Sequence, residues 1–328
     1  MVLKYVALDK DENRTVHCVM RKELNISATF MRRLKFAGAI SVSGISAYTN
    51  HKLSPGEIVR IDIAVAEHPC DNLPENGEVE VLFENEGLLA VNKPSGILVH
   101  PSRSRYTGTL SNFVAGYLLR GNQNGGSQAP ETRSDEPISC PHACHAVNRL
   151  DRDTSGVVLF AKNSYMKSIA AEALSASDAR KEYLALVCGE MPLSGTIDVP
   201  IRRMEERNML RIPSPDGQRA VTHYKTLCTS KSGEHTYSLV KFILETGRTH
   251  QLRVHSLHLN HPILGDKLYN NNESIAASQA LGIETQALHA KFLTFKEWLS
   301  QKIIEISAPW GLQKYTCNLA PDMLTYLG

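Results

Sequence analysis

Four strand-like segments follow one another between residues 181 and 246 with no helix between them. KEYLALVCGEM, GTIDVPIRR, AVTHYKTLCTS and YSLVKFILET are rich in β-branched and aromatic residues and are separated by Gly, Pro and Ser turns. Such a run cannot be wound as alternating strands and helices. It demands hairpins, and hence a largely antiparallel sheet. Helical patterns occur around it: TLSNFVAGYLLR, SYMKSIAAEALSA with Asn163 or Ser164 as cap, and THQLRVHSLHL. The predicted fold class is α+β, a mixed and mainly antiparallel sheet flanked by helices and loops.

Ahead of this body lies a different unit, residues 1–68. TVHCVMRKELNISATFMRRLKFAGAISVSG reads as helix, turn, helix and strand, with Ser27 as N-cap and Gly38 as the helix stop. EIVRIDIAVA is a further strand. The unit carries ten Lys and Arg against seven Asp and Glu. Residues 69–78, PCDNLPENGE, read as a linker, and 79–328 as the larger domain. Within the latter, the polar, turn-rich stretch GNQNGGSQAPETRSDEPISC reads as a loop excursion over 121–139.

Composition narrows the class. The chain has 328 residues, ordinary apolar content and a formal charge of only +2, so a basic face for nucleic acid has to be local. Seven cysteines, at 18, 70, 140, 144, 188, 228 and 317, are too sparse and odd in number for a disulfide framework. With no apolar run long enough for a signal peptide or a membrane span, the expectation is a cytoplasmic protein without a membrane partner.

The most informative stretch is NRLDRDTSGVVLFAKN, Asn148 to Asn163. Acids and arginines alternate through Arg149, Asp151, Arg152 and Asp153, directly before the apolar strand Val157–Ala161. A nearby cation keeps a carboxylate ionised. The hydroxyls of Thr154 and Ser155 and the backbone N–H groups of the turn can fix its rotamer, and Gly156 permits a sharp entry into the strand. That is how an aspartate acting as nucleophile or base would be held. An Asp-rich turn capped by its own hydroxyls is the alternative.

This stretch resembles the catalytic motif of the RluA family of RNA pseudouridine synthases. LLAVNKPSGILVHPS, KEYLALVCG and ETGRTHQLRVHSLHLNHPILGDKLY resemble further family segments in the same order, and ALHAKFLTF is a weaker late match. Together they run over about residues 79–312. The resemblance implies Asp151 as the essential aspartate, Tyr183 as the tyrosine against the target base, and Arg248 as the arginine pairing with the aspartate. It implies Arg149 as the group that fills the gap left by the displaced base. Arg152, His250, Gln251 and Arg253 are then candidates for orienting the carboxylate's surroundings or nearby RNA. The chain carries Asn148 where the family often has His. The 1–68 unit resembles the small S-four-type RNA-binding domain, which would set Arg32, Arg33 and Lys35 against phosphates.

The implied reaction breaks the bond from ribose to a uracil nitrogen and rejoins the ring through carbon. Asp151 would attack the anomeric carbon or remove the 2′ hydrogen; both remain open. One carboxylate suffices where hydrolysis of a glycoside typically uses two, and no cofactor is expected. No metal is expected either: the four candidate ligands Cys140, His142, Cys144 and His145 are crowded into six residues, unlike the separated pairs of structural zinc. The implied partner is RNA, large-subunit ribosomal RNA ahead of transfer RNA, bound by a monomer. A non-catalytic RNA-binding protein on the same scaffold is the rival, opposed by the intact trio Asp151, Tyr183 and Arg248.

Overall fold

The computed structural model describes residues 1–67, 72–102, 105–123, 144–205 and 210–310. The first unit contains β1 (Val2–Val6), α1 (Val16–Lys22), α2 (Ala28–Phe36), β2 (Ile40–Val42), β3 (Ile45–Ser46) and β4 (Ile58–Asp62). Its sheet runs in the order β1-β4-β2-β3 and is antiparallel throughout. Ser27 caps α2 by accepting from the Phe30 N–H, and Gly38 follows its end at φ 64°. The opening strand β1 has no counterpart in the sequence reading.

The larger body begins with β5 (Glu80–Glu84), β6 (Leu88–Lys93), α3 (Leu110–Gln123), β7 (His145–Ala146), β8 (Ser155–Ala161) and α4 (Ser164–Ala173). It continues through β9 (Arg180–Cys188), β10 (Ser194–Asp198), β11 (Ile201–Arg203), β12 (Arg211–Pro213), β13 (Val221–Ser232) and β14 (His235–Leu244). The last elements are α5 (Gln251–His258), α6 (Asn272–Ala280), β15 (Leu288–Lys296) and β16 (Ile303–Ser307). One sheet takes the order β10-β13-β14-β9-β15-β8-β6-β5, with β16 beside β15 and β7 beside β8. Every pairing is antiparallel except β8 with β15. The sheet is thus mainly antiparallel and the class is α+β. β11 and β12 form a separate hairpin.

The apolar run of β8 is explained by its central place. Val157, Leu159 and Ala161 enter one core with α4 and the first unit, while Val158 and Phe160 enter another with Val114 and Leu118 of α3. Successive side chains point to opposite faces, so a strand covered on both must be apolar at every position. Where β8 meets β15, Gly156 sits at φ 110°, and a Cβ there would lie 2.2 Å from the Ala290 carbonyl oxygen. No other residue fits this close parallel approach.

The first unit is welded to the body. Tyr165 of α4 stacks on Phe30 with ring centroids 6.4 Å apart, and its hydroxyl donates to the Leu24 carbonyl at 2.8 Å. Glu67 accepts from the Ser164 N–H and hydroxyl at the start of α4. The segment read as a linker is anchored from Asn72 onward. Glu75 bonds the Asn112 carbonyl through its N–H and the Gly108 N–H through its carboxylate. Of the 121–139 excursion, residues 121–123 prolong α3 as helix, and the rest, with most of the CPHACH cluster, lies outside the described residues.

Candidate active site

The turn between β7 and β8 puts Asp151 beside the middle of the sheet. Buried Lys93, at the end of β6, donates from Nζ to the carbonyls of Pro94 (2.8 Å), Ile97 (2.7 Å) and Arg152 (2.7 Å). Ser95 donates its hydroxyl to the Asp153 carbonyl at 2.8 Å, and Gln286 donates to the hydroxyl of buried Thr154. The bonds to the Arg152 and Asp153 carbonyls and to Thr154 hold the turn that carries Asp151, and those to Pro94 and Ile97 tie the loop after β6 to it through the same ammonium. Burial pushes the Lys93 ammonium down to about 7 against the pull of Asp153 and Asp151. Asn148, the departure from the family's common residue, is part of the same frame. Its side chain accepts from the Leu159 N–H at 2.7 Å and donates to the Val157 carbonyl at 3.1 Å, stitching the turn to β8.

Asp151 meets an arginine, and it is Arg253. The Arg253 Nη1 donates to Asp151 Oδ2 at 2.8 Å. The rest of the fork grips Asp266, Nε to Oδ2 at 2.6 Å and Nη2 to Oδ1 at 2.8 Å. Asp266 is fully buried, Arg253 is nearly so, and the Asp151 side chain keeps 27% of its exposure. The Arg253 guanidinium also lies 4.9 Å over the Tyr269 ring. Burial opposes its charge, but the two carboxylates hold it protonated well above the usual arginine value.

Arg248, expected in this role, does not reach the aspartate. It precedes α5 in an exposed position, and its Nε donates to the Arg219 carbonyl at 3.0 Å. The reason lies in the entry to α5. His250 takes a left-handed conformation at φ 58°, and the helix that follows turns Arg253 inward between buried Leu252 and Val254. Gln251 is also reassigned from an RNA contact to the frame. It is 3% exposed and spends its amide on the Thr246 hydroxyl, the Arg248 N–H, the Val221 carbonyl and the Thr222 hydroxyl.

His250 stays at the site, with Nε2 3.8 Å from Asp151 Oδ2 and Nδ1 2.9 Å from the Tyr269 hydroxyl. That hydroxyl accepts from the Arg211 N–H at 2.8 Å. Burial lowers the His250 pKa, outweighing the Asp151 charge that raises it.

Tyr183 stands on β9, across from Phe242 on one neighbouring strand and Ala290 on the other. Burial and the Asp151 charge push its hydroxyl well above the ordinary tyrosine value, so it is a neutral phenol. Asp151, Tyr183, Arg149, Arg248 and His250 all line one cleft with about 390 Å³ of open space. Its apolar wall comes from Leu150, Leu244, Leu252 and Leu288. Arg149 is exposed at this cleft, whereas Arg152 forks onto Asp153 at 3.0 Å from both Nε and Nη2.

In the first unit, Arg32 and Lys35 are exposed. Arg33 is turned away from solvent: Nη2 donates to the Ala66 carbonyl, and the guanidinium lies 5.1 Å from the centre of the Phe30 ring. It serves the packing of that unit and is withdrawn from the expected phosphate contacts. Among the described residues, no group of three or more His, Cys, Asp or Glu could hold a metal ion.

The comparisons with known proteins coincide with this site. The model of the RNA pseudouridylate synthase family matches residues 87–258, the span from β6 through α5. The chain belongs to this family. The uncharacterized RNA pseudouridine synthase YhcT of Bacillus subtilis (strain 168) is 32% identical over 310 residues, covering 94% of this chain and 93% of its own. Ribosomal large subunit pseudouridine synthase D of Xanthomonas campestris pv. campestris is 33% identical, over 83% of this chain and 78% of its own. Human RNA pseudouridylate synthase domain containing 4 superposes with a TM-score of 0.53 at 26% identity, covering 73% of this chain and 91% of its own. The chain is therefore an RNA pseudouridine synthase of the RluA type, an isomerase acting on RNA.

Missed in the sequence were Asp266 and Tyr269, within GDKLY, and Lys93 and Ser95, within NKPSG. All four stand in segments that carry the family resemblance. An acid between apolar Leu264 and Leu268 and a lysine ending an apolar strand are the signals of paired, buried charge.

Proposed function

We propose that Asp151 is the reacting carboxylate, that Arg253 fixes and charges it, and that the substrate is a uridine of large-subunit ribosomal RNA. The observation that carries this reading is the 2.8 Å contact of Arg253 with Asp151 on the wall of a cleft that also holds Tyr183. Arg253 occupies Oδ2 and leaves Oδ1 for the ribose. Two carboxylates share one guanidinium, so the pair keeps a net negative charge when both are ionised, which suits attack or proton abstraction at the sugar.

The uracil released from C1′ turns within the cleft and bonds to C1′ through C5, after which C5 gives up its hydrogen and N1 gains one. Tyr183 supplies a flat wall for the ring. Its protonated hydroxyl suits it to donating a hydrogen bond to the turning uracil, and a base role would require a depressed pKa instead of the raised one. The target base must leave its stack, at a cost of a few kcal/mol, and Arg149 at the cleft mouth is placed to fill the gap. Arg32 and Lys35, exposed on α2, add phosphate contacts outside the site.

Support for the ribosomal substrate comes from relatives named large-subunit pseudouridine synthases. The protein acts as a monomer in the cytoplasm in this reading, and a sizing column with light scattering checks the first point. The substrate is tested by mapping pseudouridine across host RNA with and without the gene. Loss of one or a few sites in large-subunit ribosomal RNA is expected. Loss confined to transfer RNA would overturn the ribosomal assignment and keep the chemistry.

A further inference from the structure

His250 enters α5 in a left-handed conformation at φ 58°, a backbone state that few residues other than glycine and asparagine take. Strain of this kind persists only where the surroundings hold it, and it clusters at reacting sites. Here the ring is held from one side. It meets the Tyr269 ring edge-on with centroids 5.5 Å apart, its Nδ1 lies 2.9 Å from the Tyr269 hydroxyl, and only 11% of the side chain is exposed. The other nitrogen, Nε2, faces Asp151 in the cleft, 3.8 Å from Oδ2.

The hydrogen-bond partners fix which nitrogen carries the hydrogen. Burial raises the Tyr269 pKa, so its hydroxyl keeps its proton; burial lowers that of His250, so the imidazole is neutral and carries one. The Arg211 N–H donates to the Tyr269 oxygen at 2.8 Å. A hydrogen on Nδ1 would give that oxygen a second donor and leave the phenol proton, among the described residues, without an acceptor. The phenol therefore donates to Nδ1, and the imidazole hydrogen sits on Nε2. The chain from the Arg211 N–H through Tyr269 to His250 thus ends in one donor held beside the carboxylate. At 3.8 Å it is too far from Asp151 for a direct hydrogen bond.

A donor and an acceptor at that separation are bridged by one hydroxyl oxygen bonded to each at ordinary length. The substrate supplies one such group. In an internal nucleotide the 3′ and 5′ oxygens are esterified, so the 2′-hydroxyl is the only hydroxyl of the ribose. C2′ bears it, and C2′ either loses its hydrogen to Asp151 or stands next to the C1′ that Asp151 attacks. The hydroxyl therefore comes beside the carboxylate on both routes. We propose that His250 is a catalytic residue that donates its Nε2–H to the 2′-hydroxyl of the target nucleotide, and that this hydroxyl in turn donates to Asp151 Oδ2. Arg253 and the hydroxyl then share Oδ2, and Oδ1 is left to react. The contact makes the site selective for ribose, since a deoxyribose would leave the His250 donor unpaired in a nearly closed position. This rests on Asp151 as the reacting carboxylate.

Two substitutions separate the two nitrogens, because a glutamine amide reaches where Nε2 lies and an asparagine amide only where Nδ1 lies. His250→Asn keeps a partner for the Tyr269 hydroxyl and suits a left-handed residue best, but loses the donor in the cleft. His250→Gln keeps a donor there and loses the partner of Tyr269. The measurement is single-turnover tritium release, at saturating RNA, from an unmodified large-subunit ribosomal RNA transcript labelled at uridine C5. His250→Asn should be at least about thirtyfold slower than the parent while binding the RNA within a few-fold, since both the bond and the orientation of the sugar are lost. His250→Gln should be several times faster than His250→Asn. A role confined to propping Tyr269 gives the reverse order, so parental turnover by His250→Asn, or turnover by it faster than by His250→Gln, overturns the proposal. If either variant melts early, the parent chain decides. A transcript ligated with 2′-deoxyuridine at the mapped target should then react at least about a hundredfold slower than its ribose counterpart, and an equal rate overturns the proposal. Failure of the parent to release tritium from ribosomal or transfer RNA would overturn the cleft assignment itself, and the role of His250 with it.

Discussion

Arg253 holds two carboxylates on one guanidinium, and in the proposed mechanism that sharing fixes and charges Asp151. Removing it leaves Asp266 buried without a cation, at a cost of about 3–5 kcal/mol. Arg253→Ala is therefore expected to lower both stability and turnover, read by urea unfolding and by pseudouridine formation. Arg253→Lys keeps the charge but loses the fork, so it should fold better than the alanine variant and still turn over at least tenfold slower than the parent. Arg248→Lys should retain most of the turnover at saturating RNA, because it does not touch Asp151. The sequence placed Asp151 and Tyr183 in one cleft but misplaced the arginine. Arg248 and Arg253 lie five residues apart in one motif, and the left-handed turn at His250 decides which of them faces inward. Nothing in residue type announces that turn. The buried neighbours Leu252 and Val254 were the legible hint, since an arginine between them has to be paired.

At the scale of elements, the site stands where β8 and β15 run parallel, and two residues there make the arrangement testable. Gly156→Ala puts a Cβ against the Ala290 carbonyl and should destabilise the chain by at least about 2 kcal/mol in urea unfolding. His289 of β15 lies across from Ser155, bonded to its hydroxyl at 2.9 Å, and burial pushes its pKa from 6.5 down to about 4. Between those two values the unfolded chain takes up a proton that the folded chain refuses. Stability therefore falls as pH drops through this window, by up to about 3 kcal/mol. The slope should be visibly flatter in His289→Gln, and an identical pH dependence in the two proteins would refute the assignment. Strands β9, β13 and β14 and helices α3, α4 and α5 were legible from pattern and caps, whereas GTIDVPIRR, read as one strand, is broken at Val199-Pro200 into β10 of the large sheet and β11 of the separate hairpin. β1, β12, α6 and β16 were not legible: α6, NESIAASQA, has no clear apolar face, and short strands with a single partner are chosen by the partner they find, not by local pattern.

Across the whole molecule, the first unit and the larger body share one apolar core, in which Phe30 and Met31 meet Tyr165 and Ile169. Deleting residues 1–67 would uncover that face of α4. The truncated chain should melt at least several degrees lower and aggregate, so a loss of RNA binding by it would say nothing about phosphate contacts. Arg32→Gln with Lys35→Gln is the clean probe and should reduce the salt slope of RNA binding without changing the melting temperature. Apart from β1 and the two-residue β3, the order of elements in the first unit was readable from caps and alternation. Its attachment was not, because polar residues 69–78 look like a free linker until Glu75 is seen to bond the Gly108 and Asn112 backbone.

The central claim is that Asp151, held by Arg253, performs the isomerisation. It is tested most directly by single-turnover release of tritium from unmodified host ribosomal RNA labelled at uridine C5, since that hydrogen leaves only when the ring rejoins ribose through carbon. The parent chain and Arg248→Lys should release tritium, Arg253→Lys should do so slowly, and Asp151→Asn should release none while binding the RNA within a few-fold of the parent. Release by Asp151→Asn at the parental rate, or a greater loss from Arg248→Lys than from Arg253→Lys, would contradict it.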